Sequence, residues 1–101
     1  MRNVLVIFEH QKHIDSNIRK FMDTLESVVS VNMYTRTIIT SDTHYKIIGA
    51  GFPYVNSLGD RLNGLRFDDV MIHGDVVLTK NVEWYIRTRM KESKEFIEFE
   101  L

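Results

Sequence analysis

Five consecutive apolar residues, Val4-Leu5-Val6-Ile7-Phe8, constrain the fold more than any other feature of the chain. The run is short, β-branched and without a polar face. It reads as a strand covered on both sides, the state of a central strand in a parallel sheet. Glu9 to His13 then break it with polar residues.

The next segment has a different period. Ile14, Ile18, Phe21, Met22, Leu25, Val28 and Val29 recur at i, i+4, i+7, i+8, i+11, i+14 and i+15, a single helical stripe. Asp15, Asn17, Arg19, Lys20, Asp23 and Glu26 fill the opposite face. The spacing predicts a helix over 14–29 and, with the preceding strand, the first half of a βαβ unit.

Val31 to Ile39 is rich in Val, Thr, Ile and Tyr and is expected to form the second strand. Thr40-Ser41-Asp42-Thr43 is a turn signal. Tyr45 to Ile48 follows as a strand antiparallel to the previous one, ended by Gly49-Ala50-Gly51-Phe52-Pro53. After an irregular stretch, Phe67 to His73 is a second strand apolar on both sides. Asn81 is expected to cap a helix from Val82 to Lys91. Phe96 to Leu101 alternates apolar and acidic residues, the pattern of an edge strand. The expectation is one α/β domain over 1–101. Its order is β-α-β-β-β-α-β, with a mainly parallel central sheet, antiparallel additions and helices packed on the sheet.

Composition narrows the function classes. The chain has 101 residues, 44% apolar and 27% charged, with a net charge of -1. No global basic field attracts nucleic acid. There is no Cys, hence no disulfide and no thiolate zinc site. No apolar run reaches the roughly 18 residues of a membrane span. We expect no membrane association, no signal peptide and a cytoplasmic location.

Four groups of residues could carry chemistry. Gly49-Ala50-Gly51 lacks the spacing and the Lys-Ser/Thr of a phosphate loop, and reads as a strand-ending turn. Asp68 and Asp69 are adjacent. In a strand they point to opposite faces, which favours a solvated strand start, ion-paired with Arg61 or Arg66, over a Mg²⁺ site. His73 and Asp75 sit at the C-terminal end of their strand, with His10 and His13 at the corresponding end of the first. In a parallel sheet these four would line one rim, as a metal site or an acid–base site; otherwise they are loop residues unrelated in space. Arg87, Arg89, Lys91 and Lys94 make a basic helix end that could contact phosphates or simply complement the helix dipole.

Arg61-Leu62-Asn63-Gly64-Leu65-Arg66-Phe67-Asp68-Asp69-Val70-Met71-Ile72-His73 resembles the R-x-x-G segment and Walker B strand of P-loop NTPases of the helicase and viral terminase type. Val4 to Phe8 with the following helix, and Tyr45 to Gly49, are similar to strands and a helix of the same ATPase core. The resemblance covers most of residues 3 to 78. It implies an ATPase-like α/β fold and a viral source, in the manner of a bacteriophage accessory factor acting in the host cytoplasm. The phosphate loop has no counterpart, however. The Walker B acid would fall at His73 and the catalytic Glu at Gly74. His73 is a poor Mg²⁺ ligand and Gly74 cannot orient water.

The resemblance therefore implies a non-hydrolysing relative. The expected function is a non-catalytic binding or regulatory protein, without a cofactor, that docks on a host or phage protein. Phe52, Tyr54 and Trp84 are its candidate interface anchors. Two alternatives stand beside it: a small metal- or nucleotide-dependent phosphate-ester enzyme using His10, His13, His73 and Asp75, and a nucleic-acid-binding protein. The C-terminal strand could pair two copies into a homodimer.

Overall fold

The apolar run becomes the central strand of a mixed six-stranded sheet in the computed structural model, which describes residues 1–9, 13–49, 65–74, 76–92 and 95–101. The strands are β1 (Arg2–Phe8), β2 (Val28–Asn32), β3 (Thr37–Thr40), β4 (Thr43–Gly49), β5 (Asp69–His73) and β6 (Ile97–Phe99). The helices among the described residues are α1 (Ile14–Asp23) and α2 (Lys80–Arg87). Across the sheet the strands run β2-β3-β4-β1-β5-β6.

β1 pairs in parallel with β4 on one side and β5 on the other, and β6 extends the parallel part. β2, β3 and β4 pair antiparallel. The sheet is thus mixed rather than mainly parallel, with one antiparallel flank. Among the described residues the element order is β-α-β-β-β-β-α-β, one strand more than expected.

The extra strand comes from the Val31–Ile39 stretch, which folds as a hairpin. Asn32 Oδ1 accepts hydrogen bonds from the backbone N–H groups of Tyr34 and Thr35, both at 3.0 Å. Arg36 takes a left-handed φ of 55°. Together they reverse the chain without a glycine, because a short polar side chain can replace the backbone's own turn bond.

The α1 stripe is real but stops early. Thr24 caps the helix at its C-terminus, and Ser27, with φ 58°, turns the chain away. Val28 and Val29 therefore enter β2 instead of extending the helix. α2 also starts earlier than expected. Thr79, not Asn81, is its cap, its hydroxyl accepting from the Val82 N–H at 3.3 Å.

Alternation along β1 divides the core in two. Val4, Val6 and Phe8 face α1 and pack with Ile14, Ile18, Phe21, Ile38 and Ile47. Leu5 and Ile7 face α2 and pack with Ile48, Val70, Phe67, Ile86 and Met90. All five β1 residues from Val4 to Phe8 are buried. Each such side chain contributes about 1.5–3 kcal/mol of apolar burial, which makes β1 the axis of the fold.

Candidate functional site

The C-terminal ends of β1, β5 and β6 form a rim on the α1 side of the sheet. His73 ends β5 there, among aromatic rings. Its imidazole lies 5.8 Å from the Phe8 ring and 5.5 Å from the Phe99 ring, centroid to centroid. Phe99 in turn packs on Phe8 at 5.6 Å and Phe21 at 5.7 Å. Glu100 reaches over from the end of β6, its Oε2 3.8 Å from His73 Nε2. The space it uses exists because residue 74 is glycine: a Cβ at Gly74 would overlap Glu100 Oε1. The Gly74 N–H donates to the Phe99 carbonyl at 3.0 Å, which locks the two strand ends together.

Only part of the expected rim can be placed. His10 and Asp75 lie outside the described residues. His13 is exposed at the N-cap of α1, where its side chain makes no capping bond. Among the described residues no group of three His, Cys, Asp or Glu side chains could hold a metal ion. His73 is thus seen as a packed aromatic neighbour with one loose carboxylate partner.

At the opposite end of the sheet, Asp68 and Asp69 have structural work. Arg2 forms an ion pair with Asp69. Asp68 Oδ2 accepts the Asn3 backbone N–H at 2.7 Å, and its Oδ1 lies 3.6 Å from Lys91 Nζ. The Asn3 hydrogen bond, with Lys91 and Arg2 nearby, holds the Asp68 carboxyl below its ordinary value, against the opposing effect of desolvation. The partners are Arg2 and Lys91, not Arg66; Arg61 lies outside the described residues.

The basic helix end is dispersed. Arg87 bonds Glu83 at 2.7 Å, an i,i+4 pair, and lies 4.5 Å over the Phe96 ring. Arg89 stacks 4.3 Å over Tyr85 and donates to its hydroxyl. Lys91 is drawn toward Asp68. Lys94 lies outside the described residues, as do Phe52 and Tyr54. Trp84 is 68% exposed on the outer side of α2.

No family model, curated protein or solved structure matches this chain.

The more prominent surface is one that the sequence pattern divides between the end of the first helix and the second strand. β2 is an edge of the sheet, and all five of its residues are exposed. Val29 is 72% exposed, and Tyr34, in the turn that follows, is 96% exposed. Between Val28 and Asn32 there is no charged residue. The pairing to β3 shifts register between Val28 and Ser30, a bulge that leaves Val29 without a partner residue. The signal that could have found this edge is the β-branched Val28-Val29 pair, better suited to a strand than to the end of a helix. Among the described residues no helix is long and apolar enough to cross a membrane.

Proposed function

We propose that this protein is a non-catalytic binding module that docks on a protein partner by strand addition at β2. The observation that carries the reading is the exposed, uncharged β2 edge. An edge strand presents a row of unpaired N–H and C=O groups, and sheets ordinarily blunt such edges with charges, proline or cover. A partner's extended segment would complete that row with main-chain hydrogen bonds, while Val28, Val29 and Val31 would offer side-chain contacts for selectivity. Tyr34 extends the same surface with an aromatic anchor.

The opposite edge is less suited to pairing, including pairing of two copies. In an antiparallel pair of copies centred on Phe99, Glu98 of one copy would face Glu100 of the other, and facing like charges are destabilising. The ATPase-like resemblance supports a regulatory role, as in a viral accessory factor, because His73 and Gly74 stand where hydrolysis would require carboxylates.

The test is differential capture from a lysate of the native host. Wild-type protein and a Glu98→Lys control are expected to retain the same partner, and a Val29→Lys/Val31→Lys variant to lose it. A partner kept equally by all three proteins overturns the reading. So does the absence of any partner retained by the wild type at micromolar concentration.

A further inference from the structure

A cleft on the other face of the sheet is unrelated to β2. The register pairs Asn3 with His44 and Leu5 with Lys46, and Thr37 of β3 with the same Lys46. Asn3, Thr37, His44 and Lys46 therefore share the α2 face, beyond the part of β1 and β5 that α2 covers. Arg66 and Lys91 join them to enclose a cleft of about 450 Å³. That volume falls in the range of small-molecule sites, roughly 300–1,000 Å³.

Charge and rigidity distinguish this cleft from a chance hollow. Three of its lining residues are cations, and none of the described residues lining it is acidic, in a chain whose net charge is -1. Asp68, beside the cleft, accepts the Asn3 backbone N–H through Oδ2 and lies 3.6 Å from Lys91 Nζ through Oδ1, which offsets part of the Lys91 charge and leaves Arg66 and Lys46 as the main cations of the lining. The walls are held by the main chain. Phe67, 2% exposed, donates its N–H to the Arg89 carbonyl at 2.8 Å and accepts from the Lys91 N–H at 2.9 Å. The backbone positions of Arg66 and Lys91 are thereby fixed on either side of this ladder. Lys46 Nζ is steadied by a 2.6 Å bond to the Thr35 carbonyl. Cations placed before the ligand arrives spare it the cost of ordering them.

We propose that this cleft binds a small organic phosphate. The Arg66 guanidinium presents the planar fork that matches phosphate oxygens, and Lys46 and Lys91 act as point charges beside it. Asn3, Thr37 and His44 supply neutral polar groups. Leu65, which is exposed, lines the same cleft and gives the non-phosphate part of the ligand an apolar surface, while buried Phe67 forms its floor. The volume exceeds what an isolated phosphate ion requires, which points to a phosphomonoester.

The experiment is an amide NMR titration of the full chain with adenosine 5′-monophosphate, ribose 5-phosphate, adenosine and a short oligothymidylate. Saturable shifts centred on Asn3, Thr37, Lys46 and Phe67 with at least one of the two phosphomonoesters, and none with adenosine, are expected. Which of the two binds more tightly identifies the carrier of the phosphate. Arg66→Ala removes an exposed side chain and is expected to weaken binding about tenfold while leaving the melting temperature in place. Lys20→Ala, on the solvent side of α1, is expected to leave binding unchanged. The proposal fails if neither phosphomonoester saturates in the millimolar range, or if Arg66→Ala binds as wild type does. It fails equally if the oligothymidylate alone binds, which would make the cleft a track for a nucleic-acid backbone.

Discussion

The two edges of the sheet end in opposite ways. β6 is short, parallel to β5, and anchored inward by Phe99, which packs among Phe8, Phe21 and His73. Of its other two positions Ile97 is exposed and Glu98 is acidic, and Glu100 follows directly after the strand. β2 is longer, antiparallel, wholly exposed and uncharged, and the valine at its bulge faces solvent. One edge is tied down and charged; the other is left as an open template.

The largest expected effect lies on the anchored edge. Phe99→Ala should cost about 3 kcal/mol, at the low end for such truncations because Phe99 is only partly buried. Denaturant unfolding checks this, and a loss below about 0.5 kcal/mol would show that β6 is as loosely held as β2. Next comes the open edge. Val29→Lys should reduce affinity for a strand-adding partner by about tenfold, near 1.4 kcal/mol, while changing stability by less than about 0.5 kcal/mol. Surface binding assays and melting curves on the same variant separate the two effects. A Val29→Lys protein that unfolds would mean that β2 is part of the core after all.

A smaller effect is expected at the rim between β5 and β6. Gly74→Ala should push the Glu100 carboxylate off His73, a change cheap in stability because the displaced atoms end a flexible side chain. A shift of the His73 ring resonances, reproduced by Glu100→Gln, would confirm that the two side chains are in contact. Unchanged resonances in both variants would remove the pair.

The smallest effect is a pH dependence at the far end of the sheet. Asp68 is held below its ordinary value in the folded protein, so its contribution is fully present above the unfolded carboxylate pKa of about 3.9. That contribution fades as pH falls through the lower folded value. Asp68→Asn should therefore lower the melting temperature slightly at neutral pH, flatten the acid side of the profile and approach wild type at low pH. Identical acid slopes in the two proteins would show that the Asn3 and Lys91 contacts do not bias the carboxyl.

Much of this architecture was legible in the residues. Val4 to Phe8 had to be covered on both sides, and it is. The α1 stripe was read correctly through Phe21, and the antiparallel pairing of β4 with the strand before it was anticipated. What escaped were features set by single turn residues. Asn32 and Arg36 bend an otherwise uniform β-branched stretch, and Ser27 ends α1 before its apolar stripe runs out. Hydrophobic period carries no information about such turns when glycine is absent. Those errors hid β2, and with it the most exposed apolar surface of the sheet.

The cleft residues were harder to see. His44 and Lys46 are an i, i+2 pair on β4, but Asn3, Thr37, Arg66 and Lys91 join them only through register across several strands. Of the described members of the expected basic cluster, Lys91 alone lines the cleft. Arg87 and Arg89 are taken up by Glu83, Phe96 and Tyr85.

The vacancy beside His73 also links two positions distant in the chain. The rim has room for one carboxylate there, and it is supplied from residue 100 rather than from residue 74. Substituting an acid at 74 would not add a second charge to the present arrangement; it would evict the first. In descendants of this sequence, positions 74 and 100 are therefore expected to change together, a large residue at one accompanying a small or retracted one at the other.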